Sequence, residues 1–319
     1  MNHSARTVAI VRSSIGAAQC ATGMVVLGSS FAITRDLLGY PVLTGQAMRY
    51  AVAAAVLAAV LGWLRVGSSR PMARRPPVRP HRGELLRLAA LGASGLAVFN
   101  VCVLETLRRA DPAVVGTAVG AAPIVLALLG PLTRGRRPSV RLTTAAAIVA
   151  AGTALVHGAG NATGAGLAWA AGALACEVAF SLIAAPMLPR LGPTRVSAYA
   201  CGFAAPLLLV GAVVTGEQWR VPDPTETAAL AFLALILTAG VFPLWYTGVR
   251  RLTVERAGMF IGLLPVVSLA TTALLDRLPP PQVQLAGVLV VGAGLAFGLA
   301  TRQRQETVRE RRELVGRSA

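Results

Sequence analysis

Apolar runs of near-constant length recur along this chain, each cut off by a short stretch of arginine, acid, proline or glycine. An α-helix rises about 1.5 Å per residue, so roughly 20 apolar residues cross a hydrocarbon core of about 30 Å. Windows of that length, cut at the polar punctuation, predict ten membrane-spanning helices at 15–34, 43–64, 85–107, 112–132, 142–159, 164–187, 195–215, 227–248, 254–275 and 283–301. The fifth is only mildly hydrophobic because Ala and Thr fill it. The first is longer than a signal-peptide core and has no small-residue cleavage site, and Gln19 before Cys20 fits a lipoprotein site poorly, so it reads as a retained helix.

Composition agrees with that pattern. Of 319 residues, 55% are hydrophobic and 13% charged, with a mean hydropathy of +0.65. A soluble domain carries about a quarter charged residues, so this chain cannot clothe its own surface in polar groups. It reads as an all-α integral membrane protein, and ten spans would leave no room for a large soluble domain. Cysteines 20, 102, 176 and 201 all fall inside spans without metal spacing, and read as small packing residues.

A net charge of +17 on a soluble protein would suggest a nucleic-acid partner, but the placement of the charge argues against one. All 30 basic residues are Arg, a compositional bias. With the N-terminus cytoplasmic, 24 Arg and five acids fall inside, and five Arg and seven acids outside. Only Arg49 and Glu177 remain within spans. The positive-inside rule therefore favours ten helices with both termini in the cytoplasm. The Arg-rich 65–84 loop and 302–319 tail serve as topology determinants and contacts for anionic membrane lipid.

The chain also repeats itself. Shifted by 142, the segment 108–156 falls on 250–298 without a gap. Arg108 and Arg109 meet Arg250 and Arg251, Gly116 meets Gly258, Gly120 meets Gly262, Pro123 meets Pro265, Pro138 meets Pro280, and Gly152 meets Gly294. Shared apolar composition does not align Arg, Gly and Pro in one register, so duplication is the better explanation. Gly28 to Phe31 falls on Glu177 to Phe180 at a shift of 149, which places the first half's extra residues near the 65–84 loop. Two five-helix repeats follow, 15–159 and 160–301, flanked by tails 1–14 and 302–319. An odd number of helices per half inserts the halves in opposite orientations.

The run LGSSFAITRDLLGYPVLTGQAMRYAVAAAVL resembles the opening two helices of the drug/metabolite transporter superfamily, in particular its EamA-type members. GTAVGAAPIVLALLG resembles that family's fourth helix, and AGMFIGLLPVVSLATTALLDRLPPPQVQLAGVLVVGAG its ninth and tenth. The chain departs from the family at Leu27, where a Trp is common, and near Arg134, where an acid is usual; Asp276 keeps the acid in the second half. The resemblance implies a multi-pass secondary transporter of the bacterial cytoplasmic (inner) membrane, exporting amino acids, related metabolites or amphiphilic compounds.

Glu177 is the sharpest single feature. It sits about thirteen residues into a span, where an ionised carboxylate is costly unless it faces a cavity or a cation. A group there that can take up and shed a proton suits H⁺ coupling; the bland alternative is a structural carboxyl between helices. Arg49 can pair with Glu177, receive a substrate carboxylate, or snorkel to the interface. Glu105 reads as an interfacial partner of Arg108 or Arg109. Ser29, Ser30, Asn100, Ser181, Trp245 and Tyr246 are candidates to line a central cavity for a small-molecule substrate. Gly116 and Gly120, with Gly258 and Gly262, place small residues four apart on a helix face for close packing. Pro123 and Pro265 follow within a turn and predict kinks or hinges. Trp63 and Trp219 read as interfacial anchors.

No enzyme constellation appears. His3, His81 and His157 share no helix face, and there is no phosphate loop, zinc spacing or nucleophile elbow, so neither a cofactor nor a metal is expected. The competing readings are an uncoupled facilitator of the same fold and, from another class, a membrane-embedded sensor or enzyme. Nothing in the pattern speaks to an oligomeric state.

Overall fold

The computed structural model describes residues 3–37, 39–66, 79–158 and 160–299. Most of the 65–84 loop and the whole 302–319 tail lie outside the described residues. Within them the chain is helical, with one isolated antiparallel bridge between Ala110 and Ala162. The helices are α1 His3–Thr34, α2 Val42–Val66, α3 Arg82–Leu107, α4 Pro112–Leu132, α5 Val140–His157, α6 Gly164–Leu191, α7 Pro193–Val214, α8 Pro224–Leu252, α9 Val254–Asp276 and α10 Gln282–Leu299. Among the described residues nine, α2 to α10, are long and apolar enough to cross a membrane.

Several helices run past the limits expected from hydropathy, for local reasons. α8 starts at Pro224 rather than 227 because Asp223 and Glu226 form a capping box: Glu226 N–H donates to Asp223 Oδ1 (2.8 Å) and Asp223 N–H to Glu226 Oε2 (2.9 Å). α3 likewise begins at Arg82 rather than 85, with Glu84 accepting from His81 N–H at 3.0 Å. α6 reaches Leu191 rather than 187 by tightening to a 3-10 turn at Ala185–Met187 around Pro186. α1 begins at His3, well before the apolar stretch that starts near 15, since helix propensity does not stop where hydrophobicity does.

Two of the prolines lie just after changes in helix geometry. α4 is interrupted at Ala121, two residues before Pro123, and α9 narrows to a 3-10 turn at Met259–Gly262 before Pro265. Each ring lacks an N–H and crowds the carbonyl four residues back. Two features were not expected: π-helical segments at Leu91–Val98 in α3 and Leu233–Val241 in α8. Their starts differ by 142, the offset of the sequence repeat, as do Glu84 and Glu226.

The same offset organises the packing. α1 packs on α8 and α9, α6 on α3 and α4, α2 on α7, and α5 on α10. At the last crossing a Cβ on Gly152 would lie 2.7 Å from Val291 N and 2.8 Å from Gly287 O. One on Gly294 would lie 2.9 Å from Val149 N and 3.1 Å from Ala145 O. Each partner residue is the other's counterpart displaced by 142, so the crossing is two-fold in character. Gly116 and Gly120 let α4 settle on His157 and Thr153 of α5, while Gly258 and Gly262 face Leu126 and Val149.

Buried apolar residues from α2, α3, α6, α7 and α8 form the main core. On the outside Leu86, Val213, Val214, Leu274 and Leu289 are 73–80% exposed, a surface suited to lipid rather than water. Trp63 near the end of α2 and Trp219 in the loop between α7 and α8 are both exposed, as interfacial anchors would be.

Candidate functional site

The half-buried Arg49 sits two turns into α2, where a cation needs partners. Its Nε donates to Thr238 Oγ1 at 2.7 Å, its Nη1 to Gln46 Oε1 at 3.2 Å, and its guanidinium lies 5.2 Å from the Tyr50 ring centroid. Thr238 belongs to the π segment of α8, where its hydroxyl donates to the carbonyl of Leu233, five residues back, at 2.8 Å. The widened turn therefore brings a hydroxyl from the second half to a guanidinium of the first. Such segments concentrate at functional sites.

From Tyr50 a line of aromatic rings runs into the second half. Tyr50 and Phe242 are 6.5 Å apart, Phe242 and Phe180 meet edge-on at 5.2 Å, and Phe180 stacks on Tyr246 at 5.0 Å. Asn100 Nδ2 donates to the Tyr50 hydroxyl at 3.2 Å and to Leu96 O at 2.7 Å. The Tyr246 hydroxyl donates to Phe180 O at 3.3 Å. Glu177, midway along α6 and within electrostatic reach of Tyr246, is half-buried. Among the described residues no side chain hydrogen-bonds or ion-pairs with its carboxylate; Arg49 is committed to Thr238 and Gln46. One turn on, the fully buried Ser181 Oγ has no protein partner.

The fold thus gathers Arg49, Asn100, Glu177, Ser181 and Tyr246 around one aromatic strip. It does not gather the remaining candidates there. Ser29 and Ser30 donate to carbonyls of their own helix, at Val25 (2.8 Å) and Leu27 (2.7 Å), and the ring contacts of the strip do not include Trp245. Tyr50, Gln46, Thr238, Phe180 and Phe242 escaped the sequence reading. A usable signal existed for Tyr50, since a phenol deep in a span needs a polar partner and its chain neighbour is the span's lone arginine.

Both ends of the bundle carry ties between the halves. At one, Arg190 in the last turn of α6 pairs with Glu84 at the start of α3, and Arg134 after α4 donates to both Glu255 Oε1 and Oε2 (2.8 and 2.7 Å). At the other, the Glu217 carboxylate accepts from Leu43 and Thr44 N–H, both at 2.9 Å, capping α2 from across the molecule. Arg220 pairs with Glu226 and donates to Gly39 O at 3.3 Å, and the Tyr40 hydroxyl donates to Arg220 O at 3.0 Å. Burial pushes the Tyr40 phenol above its usual range, so it remains a donor at neutral pH. A cavity of about 480 Å³ opens here between Tyr40, Val42, Glu217 and Arg220, away from Glu177. Glu105 pairs with Arg108 and Arg109 at its own helix end, as expected.

The central arrangement offers one guanidinium, one carboxyl without a side-chain partner among the described residues, amide and hydroxyl groups and an apolar wall. Among the described residues no three His, Cys, Asp or Glu side chains cluster to hold a metal ion.

A protein of Streptantibioticus cattleyicolor described as a probable terminal-alkyne amino-acid exporter is 27% identical over 297 residues, covering 91% of this chain and 96% of its own. The uncharacterized transporter YetK of Bacillus subtilis is 21% identical, over 90% of this chain and 87% of its own. A crystal structure 20% identical superposes with a TM-score of 0.74 over 92% of this chain and 99% of the other, which establishes the same fold. The sequence model of the EamA-like transporter family matches twice, at residues 14–158 and 163–299. With its apolar helices and nearly its whole length matched, the chain is a multi-pass membrane protein that belongs to the EamA-like transporter family.

Proposed function

We propose that this protein is a secondary transporter that exports a small organic solute (an amino acid, a related metabolite or an amphiphilic compound) by alternating access, coupled to H⁺ through Glu177. The observation that carries the reading is the unpartnered Glu177 carboxylate at mid-depth, sharing an aromatic strip with Arg49 of the other half. A lone carboxylate at that depth is costly when ionised, and uptake of a proton or of a cationic substrate group relieves that cost. Arg49, Asn100, Ser181 and Tyr246 complete the binding groups. The amino-acid exporter among the relatives supports the substrate class.

Two inverted five-helix halves, 15–159 and 160–301, with α1 as the tenth span and both termini cytoplasmic, supply the moving parts. The paired matches of the family model, the two π segments and the Gly152/Gly294 crossing support that division. The interruptions before Pro123 and Pro265 are its hinges. The bacterial relatives support placement in a bacterial cytoplasmic membrane, with anionic lipid against the Arg-rich segments.

The test is Glu177→Gln, which keeps size and hydrogen-bonding capacity but cannot titrate. In vesicles, a pH gradient should no longer concentrate substrate, while equal-pH exchange of labelled for unlabelled substrate survives. A structural carboxyl gives lower yield and melting temperature, with residual transport still responding to pH. Intact pH-driven accumulation by the Gln variant would eliminate the coupling role.

A further inference from the structure

Beside Glu177 in the chain, Cys176 of α6 meets Cys102 of α3. Both are free thiols, 8% and 3% exposed, packed into the same buried cluster. With Ala173 they form a small cluster of their own, walled by Phe99, Val103, Val115 and Val119. The close approach has a local cause. Gly172, one turn before Cys176, presents no side chain; a Cβ there would lie 3.0 Å from Cys102 Sγ and 3.9 Å from its Cβ. The other two cysteines lie elsewhere, Cys20 against Gly248 and Cys201 near Arg49.

The two thiols belong to different halves and sit one and two positions from site residues, Glu177 and Asn100. We propose that Cys102 and Cys176 are a redox-active dithiol, which a lipid-soluble oxidant of the quinone class closes to a disulfide that ties α3 to α6 and halts transport until it is reduced. Two S–H bonds break and one S–S bond forms; the two electrons and two protons pass to the quinone, giving the hydroquinone. The apolar wall selects an oxidant that partitions into lipid over one dissolved in water. The bond would fix the two walls that carry Asn100 and Glu177 relative to one another. Only the halting of transport rests on the transporter reading; the thiol chemistry stands apart from it.

The experiment uses the full chain as Cys20→Ala/Cys201→Ala in lipid vesicles, treated with a fully substituted quinone that cannot alkylate thiols. After denaturation and maleimide labelling, mass mapping should show a peptide pair joined through Cys102 and Cys176, 2 Da lighter than the reduced pair, with both thiols restored by dithiothreitol. Flux should fall at least tenfold and recover on reduction, while the same protein with Cys102→Ala should keep its own pre-treatment rate. Two thiols still fully alkylatable after treatment would overturn the dithiol. A joined pair with undiminished flux would overturn its control of transport. Absence of flux before treatment would count against the transporter reading, and the peptide map would still decide the dithiol.

Discussion

Arg49 persists inside a bilayer span because its charge is shared among Thr238, Gln46 and the face of Tyr50. A guanidinium makes those contacts as a planar fork, which the point charge of an ammonium cannot reproduce. Losing a hydrogen bond to a charged group costs about 1.5–3 kcal/mol, roughly ten- to hundredfold in affinity. Arg49→Lys should therefore weaken substrate binding about tenfold or more, measured as the substrate-induced shift in melting temperature. Unchanged affinity would return Arg49 to a purely structural role. The two charged residues of the site were legible because charge inside an apolar run stands out at any position. The aromatic strip was not: Tyr50, Phe180 and Phe242 look in sequence like any core residues, and only the three-dimensional crossing of α2, α6 and α8 brings their rings together. The serines misled for the opposite reason, since a hydroxyl in a helix can bond its own carbonyls, as Ser29 and Ser30 do.

Among the helices, α9 shows how punctuation becomes mechanics. Its 3-10 turn at Met259–Gly262 and the following Pro265 leave part of the hydrogen-bond ladder unmade in the middle of a span. Ala at 265 would supply the missing donor and remove the ring clash, straightening the helix. If bending there is part of the cycle, Pro265→Ala should insert normally and bind substrate with nearly unchanged affinity, yet turn over several-fold more slowly in vesicles. Equal turnover would mean that the proline is merely tolerated. These interruptions were readable because Pro and Gly act through local backbone chemistry. The π segments of α3 and α8 were not, since residues such as Leu, Ala and Gly fit an i→i+5 ladder as well as an i→i+4 one, and the choice is made by packing.

For the molecule as a whole, the proposed ten-span topology puts 24 Arg on one side against five on the other, which the positive-inside rule turns into a prediction of orientation. Single cysteines at Ser139 and Thr225, introduced into a protein with its own cysteines replaced, should label from the cytoplasm and from outside respectively. Labelling of both from the same side would refute the ten-span arrangement. Ties at the two ends, Arg190 with Glu84 and Glu217 with the start of α2, join residues 3–158 to residues 160–299, and the proposed alternating access requires each to break in turn. A single central site exposed to one side at a time has one kinetic signature that a pore lacks. Vesicles preloaded with a solute that raises the protein's melting temperature, then diluted into a trace of the same solute carrying label, should accumulate label transiently above its equilibrium level and release it again. Label that only relaxes monotonically to equilibrium, or enters no faster than in protein-free vesicles, would contradict alternating access at this site.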